Sequence, residues 1–302
     1  MKTRSTIRAT MASEVMVTGA SGFVGSHVVR RAADLGIAVT LAEGDLRDRS
    51  LVTQQIAAAR PSAVVHLARI APGAGSWSAL EGELAIAHNL IAALGESVPE
   101  AVVVVVGSAA QYGLGVARPL TEDDPTEPVA EYGALKCVLE RAWRSPLAGR
   151  LRVVWTRSFN HVGPGQGVDA PVASWARQIV DGAGTLSVGD VSTVRDFMDV
   201  RDVADAYLAL AQAGQPGVVN VCTGVPIRLG EVLERLIELS GETVEVVQDD
   251  ALRRAVDPPY VVGDPQRLRE LIGKTPSFEL DASLADVLAE WRGRVATPAE
   301  AH

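Results

Sequence analysis

The sequence predicts a doubly wound α/β fold: a parallel sheet with helices on both faces, followed by a smaller lobe. The first observation is alternation. Short apolar runs at Val15–Thr18, Ala38–Ala42, Ala63–Leu67, Val102–Val106 and Val153–Thr156 are separated by helical stretches, the pattern of βαβ units. The second is the turn after the first run, where three glycines in G-x-x-G-x-x-G spacing lead straight into the helical pattern Val28, Val29, Ala32, Ala33, Leu35. The third is the change of texture in the second half. Elements there become shorter and more mixed, with helices expected at Pro171–Asp181, Asp202–Ala211, Leu229–Ser240 and Leu284–Arg292.

In Thr18-Gly19-Ala20-Ser21-Gly22-Phe23-Val24-Gly25 each glycine has a separate reason to lack a side chain. The first permits the tight turn, the second lets backbone approach a pyrophosphate, and the third lets helix pack close to strand. A helix N-terminus then offers free N–H groups and the positive end of its dipole. The same pattern also suits an αβ turn without a ligand.

A second group of residues lies further along. Glu131-Tyr132-Gly133-Ala134-Leu135-Lys136 puts Tyr132 and Lys136 one helical turn apart on a shared face. An ammonium beside a phenol favours the phenolate, which makes Tyr132 a candidate proton donor or acceptor for a carbonyl/alcohol pair. Ser108 follows the apolar run Ala101–Val106, at the carboxyl end of a strand, where such folds bind substrates. Its hydroxyl could hydrogen-bond the same oxygen or merely start a turn.

Bulk properties narrow the class. The 302 residues are 47% hydrophobic and 22% charged, with a formal net charge of −9, which argues against a nucleic-acid groove. Two cysteines, Cys137 and Cys222, offer neither a disulfide framework nor a C-x-x-C pair, so a reducing, cytoplasmic setting is expected. The apolar run ending at Val106 is too short to cross a bilayer. Five histidines (His27, His66, His88, His161, His302) show no metal-binding spacing, so no metal site is expected; His66, inside an apolar run, reads as a core residue.

The turn at Gly19–Gly25 together with Ser108, Tyr132 and Lys136 resembles the extended short-chain dehydrogenase/reductase (NAD-dependent epimerase/dehydratase) family. Thr156-Arg157-Ser158-Phe159-Asn160-His161-Val162-Gly163-Pro164-Gly165-Gln166 resembles a segment of its nucleotide-sugar members. Val194–Val203, Val219–Gly224 and the pattern Arg254 … Pro259 … Val262-Gly263-Asp264 resemble the branch that reduces NDP-4-keto-6-deoxyhexoses, including the GDP-4-keto-6-deoxy-mannose reductases. The resemblance covers roughly residues 14 to 292.

It implies a Rossmann-type sheet holding NADP or NAD, with NADPH favoured. The cofactor would meet Gly19, Ser21, Gly22, Phe23, Val24 and Gly25, then Asp45 and Leu46. Leu67, Ala68 and Arg69, taken as the end of a fourth strand, would line it with backbone. Tyr132, Lys136, Phe159 and Val162 would complete that surface. Asn160, Arg195 and Arg254 would hold the sugar nucleotide, GDP- or dTDP-linked, the arginines by paired bonds to its diphosphate; surface ion pairs are the alternative reading for each. Asn89 matches an asparagine that steadies a proton relay. Ser108, Tyr132 and Lys136 would be catalytic. The implied organisation is a disordered extension at 1–13, a dinucleotide domain at 14–165, a mainly substrate-binding lobe at 166–295 with interleaved segments, and a tail at 296–302. A homodimer through the helices around Leu80–Leu94 and Gly133–Arg144 is also implied.

Two departures stand out. From Ile37 to Asp48 the family's second and third strands look merged, so the residue facing the adenosine 2′ position, acidic for NAD and basic for NADP, cannot be identified. Arg30, Arg47 and Arg69 are the basic candidates. Secondly, Ala109-Ala110 follow Ser108 where dehydratases and the C3/C5 epimerase–reductases carry an acid/base. The expectation is therefore a 4-ketoreductase, with a C4 epimerase and a catalytically silent dinucleotide sensor as alternatives.

Overall fold

A computed structural model describes residues 14–70, 76–114, 116–182, 184–253, 256–274 and 276–296. The expected extension at 1–13, the tail beyond 296 and Arg254 lie outside these residues. The chain opens with β1 (Val15–Thr18), α1 (Phe23–Asp34), β2 (Val39–Ala42), α2 (Arg49–Ala59), β3 (Ala63–His66), α3 (Ser76–Ser97) and β4 (Val102–Val106). It continues through α4 (Glu131–Trp143), β5 (Arg152–Ser158), β6 (Asn160–Val162), α5 (Pro171–Val180), β7 (Thr185–Val188), β8 (Val194–Arg195), β9 (Phe197–Asp199) and α6 (Val200–Ala213). Last come β10 (Gly217–Val221), β11 (Ile227–Arg228), α7 (Leu229–Ser240), β12 (Glu245–Gln248), β13 (Tyr260–Val261), α8 (Gln266–Ile272) and α9 (Leu280–Ala296).

Six strands form the parallel sheet in the order β10-β5-β4-β3-β1-β2. Strand order reverses at β1, which has β2 on one side and β3 on the other; such a switch point opens a crevice at the carboxyl ends of the strands. β1 and β3 are buried along their whole length, which explains their unbroken apolar character. β2 is the edge, only partly buried, with Leu41 exposed. The merged region therefore contributes one strand, and Leu67–Arg69 follows the third strand of the chain, not a fourth.

The chain divides into two compact units. Unit 1 comprises the residues through Val106, Val138–Thr156 and Asp205–Val218; unit 2 comprises Gly107–Cys137, Arg157–Ala204 and the chain from Val219 onward. The expected boundary at residue 165, drawn with interleaved segments, falls inside the Arg157–Ala204 stretch of unit 2. Residues 107–137 leave the first unit, while the later turns of α6 and the start of β10 join it, because they extend the sheet and its helical cover.

Within unit 1, Asp48 caps α2 by accepting from the Ser50 and Leu51 amides at 2.9 and 3.2 Å, a bond set that supports a helix start. Arg31 of α1 is ion-paired with Asp205. His66 is a buried core histidine, as expected, with Nδ1 2.7 Å from the Thr18 hydroxyl and its ring 5.6 Å from that of Trp143.

Unit 2 is centred on α5, α7 and α9, which bury Trp175, Ile179, Leu233, Leu236, Leu284 and Leu288. Buried carboxylates tie its loops together. Asp196 accepts from the Thr223 amide and hydroxyl and from the Gly224 and Gly263 amides; burial nevertheless pushes its pKa above the usual carboxylate range. Asp199 accepts from Arg201 and Ser283, and Arg201 reaches on to Asp286. No helix among the described residues is long and apolar enough to cross a membrane.

Candidate active site

The glycine turn of unit 1 is built from backbone, and its three glycines carry three different constraints. Gly19 has φ +68°, and a Cβ there would meet the Ala68 nitrogen at 2.6 Å, so only glycine permits the turn against the end of β3. The Thr18 hydroxyl secures the same junction by accepting from the Leu67 and Ala68 amides at 3.1 and 3.0 Å. A Cβ on Gly25 would collide with the Gly19 carbonyl oxygen and lie 2.8 Å from Ala20 Cα. Gly22 differs. A Cβ there would meet only the Gly19 oxygen, at 3.3 Å, and otherwise point into open space.

Gly22 is also the N-cap of α1, with no side chain bonded to the first turn and no acidic residue in it. The amides of Phe23, Val24 and Gly25 therefore lack intrahelical partners and converge where an anion is favoured. Residues that leave backbone open at Gly22 and amides unused at the helix start fit a dinucleotide pyrophosphate.

The loop after β2 lies in the same unit. Asp45 holds Arg47 in a bidentate pair, with an Arg47 amino group 2.6 Å from Oδ2, and these bonds draw the Asp45 pKa down to about 2. Leu46 is buried. Asn89 is buried in α3 and gives its amide donors to the Leu46 and Arg47 carbonyls at 3.0 and 2.9 Å. It fixes the loop. Arg69 is exposed.

Unit 2 carries the side-chain chemistry. Ser108 caps a short 3-10 turn, Ala109–Tyr112: its hydroxyl accepts from the Ala110 amide at 3.1 Å, and its own amide donates to Gln111 Oε1 at 3.3 Å. This is a capping box, and its S-x-x-Q spacing was legible in the sequence. A hydroxyl that accepts still has its proton to donate, so the cap leaves Ser108 able to bond a carbonyl. On α4, Lys136 is buried while Tyr132 is half exposed, with the ammonium nitrogen 5.9 Å from the phenol ring centroid. Gly133 between them lets the helix start pack on the Ser108 turn, since a Cβ there would strike the Ala110 carbonyl oxygen and lie 2.9 Å from Pro128. Ser108, Tyr132 and Lys136 are thus carried by two elements in direct contact.

The remaining expectations fare unevenly. The side chains of Phe159 and Val162 are buried in apolar clusters of unit 2, so only their backbone could face a ligand. Asn160 is exposed on β6. Arg195 is buried and committed: it donates to the Val194 and Pro258 carbonyls at 2.8 Å and to Asp257 at 2.6 Å. The ion-pair reading therefore describes its contacts, and it anchors the 257–258 segment. Burial lowers the His161 pKa to about 4, which keeps the ring neutral at pH 7.

Sequence reasoning missed a buried polar set behind the Ser108 turn. Tyr112 donates to Asn220 Oδ1 at 2.6 Å, and Asn220 donates to Leu120 O and, from its backbone, to Glu122, each at 2.8 Å. Burial raises the Tyr112 pKa to about 12; its phenol is a structural donor. Among the described residues no group of three or more His, Cys, Asp or Glu could hold a metal ion.

The NAD dependent epimerase/dehydratase family matches residues 15–222. GDP-6-deoxy-D-mannose reductase of Pseudomonas aeruginosa is 33% identical over 94% of this chain and 99% of its own. UDP-glucose 4-epimerase of Azospirillum brasilense is 31% identical over 91% of each. The solved structure of RMD from Pseudomonas aeruginosa complexed with NADPH superposes with a TM-score of 0.85 at 32% identity, covering 93% of this chain and 99% of that one. The chain belongs to the NAD dependent epimerase/dehydratase family.

Proposed function

We propose that this member of the family is an NAD(P)H-dependent 4-ketoreductase of an NDP-4-keto-6-deoxyhexose. One observation carries the reading: a half-exposed Tyr132 over a buried Lys136, on a helix packed against the Ser108 turn, with Ala109 and Ala110 as the next two residues. A nicotinamide dinucleotide, when bound, supplies the hydride. The protein's own residues do the rest. Ser108 donates a hydrogen bond to the sugar C4 oxygen, and Tyr132 delivers the proton that oxygen needs on reduction. Lys136 brings positive charge to the phenol from a buried position. In unit 1 the amides at the start of α1 hold the pyrophosphate.

Alanines can neither donate nor accept a proton, so Ser108 is not followed by the acid/base that dehydration or C3/C5 epimerisation would require. The named activity of the Pseudomonas relative supports the reductase reading over the C4 epimerase. The substrate-binding role belongs chiefly to unit 2, the polypeptide forms a homodimer through α3 and α4, and its two cysteines suit the cytoplasm.

The test is consumption of NADH and NADPH against GDP- and dTDP-4-keto-6-deoxyhexoses in deuterated water. The expected product is a C4 alcohol without solvent deuterium at C3 or C5 beyond background. Deuterium at those carbons would expose an unrecognised base. Interconversion of C4 epimers with no reductant consumed would replace the reductase with an epimerase, and formation of a 4-keto-6-deoxy product from an intact NDP-hexose would overturn both.

A further inference from the structure

The proposed reduction asks two things of the Ser108 hydroxyl at once. It accepts from the Ala110 amide at 3.1 Å, and it donates its proton to the sugar C4 oxygen. Where that proton points is set by the turn Ala109–Tyr112. A 3-10 turn is a weak frame, because its hydrogen-bond geometry is poor; here the backbone bond from Gln111 to the Ser108 carbonyl is 3.2 Å long. The capping box holds the near end of the turn. Tyr112 holds the far end, and every group that secures it lies in unit 2.

Tyr112 is buried, with its ring 6.3 Å from that of Phe159 and the Arg157 guanidinium 4.8 Å from its centroid. Its hydroxyl donates to Asn220 Oδ1 at 2.6 Å, and the rest of Asn220 fixes the direction of that bond. The Asn220 side-chain nitrogen is taken by the Leu120 carbonyl at 2.8 Å. A carbonyl only accepts, so the amide oxygen faces Tyr112 and the phenol keeps its proton. The Asn220 backbone is anchored in turn, its amide donating to Glu122 Oε1 at 2.8 Å. We propose that Tyr112 is a positioning residue for the reduction: its bond to Asn220 fixes the turn that aims the Ser108 proton at the C4 oxygen. This rests on reading Ser108 as the donor to that oxygen. Burial raises the phenol pKa to about 12, so the tether persists through neutral and mildly alkaline pH.

Steady-state kinetics of the full-length protein, with NAD(P)H and the NDP-4-keto-6-deoxyhexose it turns over, test this as a double-mutant cycle. Tyr112→Phe should lower kcat roughly ten- to hundredfold, with KM for the sugar nucleotide and directly titrated NAD(P)H affinity within about twofold of wild type. Ser108→Ala should lower kcat by roughly two to three decades. Adding Tyr112→Phe to Ser108→Ala should cost less than about twofold more, because a residue that acts through Ser108 then has nothing to aim. Multiplicative losses overturn the proposal, and so does wild-type kcat in Tyr112→Phe. Cys222→Ala removes packing from the same buried cluster and spares the bond. Its melting temperature should fall while kcat stays within about twofold; a kcat loss like that of Tyr112→Phe would mean that turnover follows stability alone, which also overturns the proposal. Should Tyr112→Phe not fold, Tyr112→Phe/Asn220→Leu makes both partners apolar, while the Leu120 carbonyl keeps the Asp264 amide at 2.8 Å; the same kcat loss is expected. A wild type inactive on every 4-keto sugar offered, or Ser108→Ala at full activity, overturns the ketoreductase reading itself, and the tether falls with it.

Discussion

The glycine turn of unit 1 and the Ser108–Tyr132–Lys136 group of unit 2 solve opposite problems. The turn must present bare backbone amides to an anion, so its working parts are absences: no Cβ at Gly19, Gly22 or Gly25 and no side-chain cap on α1. The second group must present three particular side chains, so its glycine serves only to bring elements together. Gly133 lets α4 touch the Ala110 carbonyl, and the chemistry sits on its neighbours. A glycine is thus open where a ligand is to approach and crowded where two pieces of protein must meet. Gly22 alone of these four looks outward.

Substitutions can break or sharpen that contrast. The largest effect is expected from Tyr132→Phe, which removes a proton donor and leaves every backbone contact in place. Turnover should fall by roughly two to four decades with nucleotide affinity unchanged; a fully active variant would end the assignment. Gly25→Ala comes next. Its methyl group collides with the Gly19 carbonyl, so thermal stability should drop by roughly 1–3 kcal/mol or more; an unchanged melting temperature would mean that the turn relaxes at little cost.

His161 probes unit 2 through pH. Its pKa lies near 4 when folded, against an ordinary 6.5, so the unfolded chain binds more protons between those values. The contribution of the neutral ring is complete above 6.5 and is lost as pH falls toward 4, with a slope of up to about 1.4 kcal/mol per pH unit. His161→Asn should flatten that part of a stability–pH curve, and an unaltered acid limb would show that the ring stays hydrated. The smallest effect on stability is expected from Gly22→Val, about 1 kcal/mol or less, because its side chain meets so little protein. Nucleotide binding should nevertheless weaken several-fold or more. If Gly22→Val and Gly25→Ala behave alike in both assays, the distinction between open and crowded glycines fails.

Local signals were legible in the sequence. The valine-rich run Val102–Val106, the G-x-x-G-x-x-G spacing and the one-turn interval between Tyr132 and Lys136 each specify geometry over a few residues, and all three recur in the fold as strand, turn and shared helix face. Backbone conformation and side-chain periodicity act over that range. What a long polar side chain touches is decided elsewhere in the chain. Arg195 had the right chemistry for a diphosphate, but folding brought Asp257 and the Pro258 carbonyl to its guanidinium. Asn89 gives its amide donors to loop carbonyls more than forty residues away in sequence. Val162 was matched to the cofactor surface, and its side chain lies in the core of unit 2. The sequence by itself determined the elements and the chemistry on offer. The tertiary structure decided which groups were consumed as internal partners and which were left facing outward, because a buried polar group must find a partner and that partner is supplied by packing distant parts of the chain together.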